Sequence, residues 1–242
     1  MARRITSTFE NGDDQPHYEY IENLDDQRGY TAGVVGFTTG TGDLLKVVEA
    51  YTRERPNNVL APFLPELRRL AALSQCDVAG RSDVQGLAGL PDAWREAARN
   101  DALFRDVQAR MAQDFYLRPA LQYAGRVGVR SPLGVAIFYD TIVQHGWHRT
   151  ESEVNMPRLL SLTERHRNST SGEAGYLGVL LHIRRRMLCC YPDNTWPESA
   201  GRVADLQALL QAGNFNLSPP ITLAAFGVTL EPVDDDRLYV QR

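Results

Sequence analysis

One stretch of this chain departs from the helical pattern of the rest, and it limits the fold class more than any other feature. From Tyr18 to Asp43 the residues are rich in Tyr, Thr, Val and Gly. Tyr18 to Ile21 reads as a strand, Asn23-Leu24-Asp25-Asp26-Gln27 as a polar turn, and Gly29 to Phe37 as a second strand. Glycines at 29, 33 and 36 permit a bend or a close backbone approach. Thr38-Thr39-Gly40-Thr41-Gly42-Asp43 closes the segment. Asp43 or Thr41 is then expected to cap a helix, whose apolar Leu44, Leu45, Val47, Val48 and Tyr51 fall at helical spacing up to Arg55-Pro56. Ahead of the segment, Ile5 to Glu10 reads as a short helix stopped at Asn11-Gly12.

After residue 55 the pattern is almost wholly helical. Pro62 to Leu73 carries Leu64, Leu67, Leu70 and Ala71 on one stripe, and Asp77 to Leu90 reads as a loop. Pro91-Asp92 opens a helix through Trp94, and Asp101 to Tyr123 reads as one long helix. Ser131-Pro132, a capping residue followed by proline at the first helical position, opens an apolar helix through Phe138, Tyr139, Ile142 and Val143. Further helices are expected at about Met156 to His166, Ala174 to Cys190 and Gly201 to Ala212, the last stopped by Gly213-Asn214, with an acidic Asp234-Asp235-Asp236 in the tail. No internal repeat, linker or composition break divides the chain. A mainly α (α+β) protein with one small sheet is expected, residues 1–242 forming a single domain.

Composition excludes several partners. At 242 residues the chain buries a sizeable core without staples. With 26 Lys plus Arg against 30 Asp plus Glu, the net charge of -4 supplies no basic footprint for nucleic acid or an anionic membrane. No apolar run approaches the roughly 20 residues of a membrane span, because Leu177 to Leu181 is soon followed by Arg184-Arg185-Arg186. Cys76, Cys189 and Cys190 cannot build a disulfide framework, and no export signal is recognisable near Met1. Lys46 is the single lysine. The charge is uneven: Glu10, Asp13, Asp14, Glu19, Glu22, Asp25 and Asp26 precede any cation after Glu10 until Arg28. That run is either a solvated acidic loop or a surface attracting a cationic ligand.

The glycines of 36–43 do not make a phosphate loop, since Asp43 stands where a Walker lysine is required. His145 and His148 lack the HExxH pattern and no cysteine pair has ligand spacing, so no metal and no cofactor is expected. A nucleophile elbow is absent. Carboxylates remain. Glycoside hydrolysis needs an acid to protonate the leaving oxygen and a base or nucleophile on the other side of the bond, carried by different elements. Glu10 at a helix end and Asp26 in a hairpin turn suit those two roles, Glu10 beside apolar Phe9 and Asp26 near Arg28. Asp and Glu are also ordinary turn residues, so spacing alone leaves both readings open.

The run Tyr20-Ile21-Glu22-Asn23-Leu24-Asp25-Asp26-Gln27-Arg28-Gly29-Tyr30-Thr31, followed by Gly33, Gly36-Phe37 and Gly40-Thr41-Gly42-Asp43, resembles the signature of the bacterial chitosanases of glycoside hydrolase family 46. Glu10-Asn11, Tyr139-Asp140, His145-Gly146 and Gly213-Asn214 with Leu217, Pro219 and Pro220 extend the resemblance over nearly the whole chain, in the family's order. The resemblance implies a lysozyme-like fold, two helical lobes with a small antiparallel sheet beside a substrate cleft, and a secreted, inverting endo-hydrolase of chitosan, the β-1,4 glucosamine polymer. It implies Glu10 as general acid, Asp26 as general base and Thr31 as the hydroxyl holding the attacking water. It places Asn11, Tyr20, Arg28, Asp43, Tyr116 and His145 toward substrate, and Asp140, Arg184 and Arg202 in a buried supporting network. Chitosan is the implied partner, without nucleic acid or membrane, for a monomeric enzyme. Gln27 stands where the family usually has glycine. Asp25 remains an alternative base, Arg28 an alternative partner for a loop carboxylate, and Asp43 an alternative helix cap. A lysozyme-like hydrolase of chitin or peptidoglycan, and a non-catalytic carbohydrate-binding protein, are the competing functions.

Overall fold

The computed structural model describes residues 1–148, 154–168, 172–190 and 199–232. In chain order the elements are α1 (Ala2–Asn11), β1 (Ile21–Asn23), β2 (Tyr30–Ala32), β3 (Phe37–Thr38), α2 (Asp43–Glu54), α3 (Leu64–Ala72), α4 (Val78–Arg81), α5 (Leu90–Asn100), α6 (Ala102–Ala112), α7 (Arg118–Arg126), α8 (Pro132–His145), α9 (Met156–His166), α10 (Gly172–Cys190), α11 (Ala200–Gln211), β4 (Ile221–Leu223) and β5 (Val228–Leu230). The expected α+β class holds. The chain divides into two compact units, Pro16–Phe115 and the remainder. The expected acidic tail, Asp234-Asp235-Asp236, lies outside the described residues.

In Pro16–Phe115 the three strands form one antiparallel sheet in the order β1-β2-β3, with Glu22 opposite Thr31 and Thr31 opposite Thr38. The first strand begins at Ile21 rather than Tyr18, and the second ends at Ala32. Gly33 and Gly36, at φ 71° and 69°, turn the chain before Phe37, and Gly33 donates its N–H to the Tyr20 carbonyl at 2.7 Å. A Cβ on Gly33 would lie 2.3 Å from Gln108 Oε1 and 3.0 Å from the Trp94 ring, so the backbone is pressed against the core there. Trp94 Nε1 and Gln108 Nε2 both donate to the Tyr18 carbonyl, at 2.9 and 3.0 Å. Their convergence fixes the segment leading into β1. Trp94 stacks edge-on against Phe104 at 4.8 Å, and Leu44, Val47, Val48 and Tyr51 of α2 complete this core.

Two local expectations are corrected here. The N-cap of α2 is Gly42, at φ 83°, rather than Thr41 or Asp43. The span read as a loop from Asp77 contains α4, whose first turn is held by Asp77 Oδ1 accepting from Gly80 N at 2.9 Å. A four-residue helix shows no periodicity, which is why its pattern was silent. The long helix expected from Asp101 is helical to Arg126 but passes through a π turn at Gln113–Leu117.

The other unit is built around α8, which is buried on nearly every side: Leu133, Ala136, Ile137, Phe138 and Ile142 are at most 1% exposed. Its N-cap is Ser131, whose Oγ accepts from Gly134 N at 3.0 Å, as its sequence announced. Helices α1, α7, α9 and α11 pack on it. A second antiparallel pair, β4 with β5, was not expected; it packs on α11 and α1. Among the described residues no helix is long and apolar enough to cross a membrane.

Candidate active site

Glu10 sits on the last turn of α1, which Gly12 ends in the left-handed conformation (φ 82°) by donating its N–H to the Thr8 carbonyl. Phe9 beside it is buried and Glu10 points outward, its side chain 33% exposed. Arg202 of α11 holds it from behind: Nη1 donates to Glu10 Oε1 at 2.8 Å and Nη2 to the Phe9 carbonyl at 3.1 Å, the guanidinium lying over the Phe9 ring. The same Nη1 is 3.3 Å from Asp140 Oδ1. Asp140 Oδ2 is 2.6 Å from Arg184 Nη1, both side chains wholly buried. Arg184 also donates to Thr141 Oγ1 at 3.1 Å, His145 Nε2 at 3.3 Å and Gln144 Oε1. Negative and positive groups thus alternate from Glu10 through Arg202 and Asp140 to Arg184.

This network answers the burial argument, since an aspartate on an apolar helix is tolerable only when paired and hydrogen-bonded. Burial pulls the Arg184 guanidinium below its usual value, with Asp140 opposing. Burial acts the same way on Arg202, but Asp140 and Glu10 outweigh it and raise that group. Asp140, Arg184 and Arg202 are therefore brought together as the sequence suggested. His145, expected toward substrate, is 4% exposed and sits within the network. Asn11 is half-buried, its Nδ2 donating to Ser7 Oγ at 3.3 Å, and Tyr116 packs partly buried against the core of this unit.

In Pro16–Phe115, Asp26 occupies the exposed turn between β1 and β2. The residues on either side, Asp25 (φ 53°) and Gln27 (φ 66°), are both left-handed, which forces a tight corner. Asp26 Oδ1 accepts from Arg28 N at 3.1 Å, and Arg28 Nε is 3.6 Å from Asp26 Oδ2. Its carboxylate is therefore oriented by its own turn and faced by a cation. Thr31, two pleats away on β2, has its Oγ1 buried with no hydrogen-bond partner among the described residues. A buried orphan hydroxyl is costly, and a water or a sugar hydroxyl would satisfy it. Tyr20 donates its hydroxyl to Glu22 Oε2 at 3.2 Å, and burial with Glu22 nearby pushes that phenol up. Asp43 Oδ1 accepts from Thr38 N at 2.6 Å, Thr41 Oγ1 at 2.8 Å and Leu44 N at 2.8 Å, so its carboxylate is fixed to the β3–α2 loop.

The acidic run is less uniformly negative than its sequence. Cations face it in the fold: Arg4 bonds Asp14 at 2.7 Å and Arg99 pairs with Glu19, while the adjacent Arg28 pairs with Asp26. Yet Pro16–Phe115 holds 11 Lys plus Arg against 15 Asp plus Glu, so the whole net charge of -4 belongs to this unit. No group of three or more His, Cys, Asp or Glu fit for a metal occurs among the described residues. The brace of Phe226 on Phe9, ring centroids 5.0 Å apart, had no signal in the sequence.

The model of glycosyl hydrolase family 46 matches residues 4–221. The chitosanase of Bacillus subtilis (strain 168) is 38% identical over 232 residues, covering 91% of this chain and 79% of that protein. The chitosanase of Streptomyces sp. (strain N174) is 32% identical over 235 residues, covering 94% and 79%. The structure of a family 46 chitosanase from Gynuella sunshinyii in complex with chitotetraose superposes with a TM-score of 0.86 at 38% identity, covering 96% of each chain. The lysozyme-like class implied by the resemblance is the class of this fold.

Proposed function

Because the chain belongs to glycosyl hydrolase family 46, we propose that it is an endo-acting chitosanase, cleaving β-1,4 bonds between glucosamine units of chitosan with inversion. Glu10 is the general acid and Asp26 the general base, and the whole chain is the catalytic domain. Glu10 gives its proton to the glycosidic oxygen as the bond breaks. Asp26 takes a proton from a water that attacks the anomeric carbon from the opposite face, and Thr31 Oγ1 holds that water. The observation carrying this reading is that each carboxylate is held by its own surroundings: Glu10 is anchored on buried Arg202, and Asp26 is fixed within its own turn.

Substrate binding falls to Asn11, Tyr20, Arg28, Asp43 and Tyr116, while His145 supports the buried network. Asp43, its carboxylate fixed to the loop by Thr38, Thr41 and Leu44, recognises a sugar ammonium. The acidic balance of Pro16–Phe115 suits a polycation. The polymer lies outside cells, which makes the enzyme a secreted one, acting as a monomer.

The test is to incubate the protein with chitosan and follow product size and anomeric configuration by NMR. Products several sugars long with the α anomer appearing first are expected. The β anomer first would overturn inversion, and intact chitosan would overturn the substrate. Glu10→Gln should lower hydrolysis by about 10²- to 10⁴-fold, the usual worth of a general acid, with an unchanged circular dichroism spectrum. An inverting enzyme also needs about 6.5 to 9.5 Å between its two carboxyl groups, measurable in a crystal with a bound glucosamine oligomer.

A further inference from the structure

Behind the Asp26 turn lies a buried arginine to which no role has been given. Arg81, at the end of α4, is 6% exposed and has no carboxylate partner among the described residues. All its acceptors are backbone carbonyls. Nε donates to Gly40 O at 2.7 Å, and Nη1 to Ala71 O at 3.0 Å and Leu73 O at 2.9 Å. The last two belong to the C-terminal end of α3, where unpaired carbonyls and the helix dipole favour a cation. That end would accept any positive charge. Gly40 is different, because it connects Arg81 to the base.

Gly40 N donates to the Arg28 carbonyl at 2.8 Å, and Thr39 N to the Tyr30 carbonyl at 3.0 Å. Thr39 Oγ1 takes the Tyr30 N–H at 3.1 Å and donates to the Arg28 carbonyl at 3.2 Å. The backbone immediately after Asp26 is therefore strapped to Thr39-Gly40, and Thr39-Gly40 is strapped through one guanidinium to α3. Packing closes the same joint: a Cβ on Gly29 would lie 3.2 Å from Ser82 O, the residue after Arg81. A Cβ on Gly40 would lie 2.8 Å from Arg28 O, so the two strands of chain are already at closest approach.

We propose that Arg81 is a positioning residue for the general base. It rests on the reading of Asp26 as that base, and it acts by bridging Gly40 to the end of α3 so that the Arg28–Tyr30 backbone cannot shift. The planar fork is what the task needs, since one group must serve two backbone segments in fixed directions. A lysine supplies the charge at α3 but one point of attachment.

The experiment compares the full-length protein with Arg81→Gln and Arg81→Lys, each at a temperature well below its unfolding midpoint. With a glucosamine hexamer, both variants should lose about 10- to 100-fold in kcat, the size of effect that a shift near 1 Å in a catalytic group produces. KM should stay within about threefold, because Asp43 keeps its own bonds to Thr38 and Thr41. Native-state hydrogen exchange supplies a readout independent of activity: the amides of Tyr30, Thr39 and Gly40 should lose about tenfold or more in protection while those of α5 and α6 do not. Wild-type kcat in folded Arg81→Gln, unchanged protection at Gly40, or full recovery in Arg81→Lys would each overturn the proposal. Absence of hydrolysis by the wild-type chain would instead overturn the function on which it rests.

Discussion

Asp26 is flanked by two residues that pay for its aim. A left-handed conformation costs an ordinary L-residue about 1 to 2 kcal/mol, less for Asp or Asn, and Gln27 adopts it at φ 66°. Gln27→Gly should therefore raise stability by about 1 kcal/mol, seen as a higher urea midpoint with an unchanged slope; a lower midpoint would show that the glutamine makes a compensating contact. Asp25 is the rival base. Asp26→Asn should cost about 10²- to 10⁴-fold in kcat and Asp25→Asn far less, and the reverse order in steady-state assays would exchange their roles. At this scale the sequence was informative where motif residues pack together, as with Asp140, Arg184 and Arg202. It was silent where a residue works through main-chain acceptors, as Arg81 does, because Gly40, Ala71 and Leu73 have no side-chain signature for a guanidinium partner.

Among the elements, α8 was readable because its start is written locally in Ser131-Pro132 and its apolar run is long. The hairpin of β4 and β5 was not, since three-residue strands give alternation too little length to register. The start of α8 also carries a longer-range clamp that no local rule announces. Glu173 of α10 accepts from Ser131 Oγ at 2.5 Å, Ser131 N at 3.0 Å and Arg130 N at 3.1 Å. Burial would raise this carboxyl, but the Ser131 and backbone donors outweigh it and hold it below the usual carboxylate range. A lowered folded value means stability that is present above about pH 4.3 and lost as pH falls through that lowered value. Glu173→Gln should accordingly be less stable than wild type near neutral pH, with the gap narrowing below about pH 4 in parallel urea titrations. A gap independent of pH would mean the carboxylate charge contributes nothing.

For the molecule as a whole, charge distribution matters more than the net figure. All of the -4 lies in Pro16–Phe115, while the other unit balances. If that imbalance draws a polycation, raising ionic strength from low to physiological values should increase KM for long chitosan more than for a short oligomer, as a salt series would measure. Equal responses would remove long-range attraction from the account. A local acidic excess was visible in the run from Glu10 to Asp26, but its partial neutralisation by Arg4 and Arg99 was not, because those pairings join residues that only folding makes neighbours. One last property follows from α2. Lys46, the sole lysine, stands exposed on that helix with its ammonium 5.1 Å from the Phe115 ring centroid. An aldehyde-bearing bead would find a single ε-amine to couple, so every side-chain linkage to the bead is made at one defined point on α2.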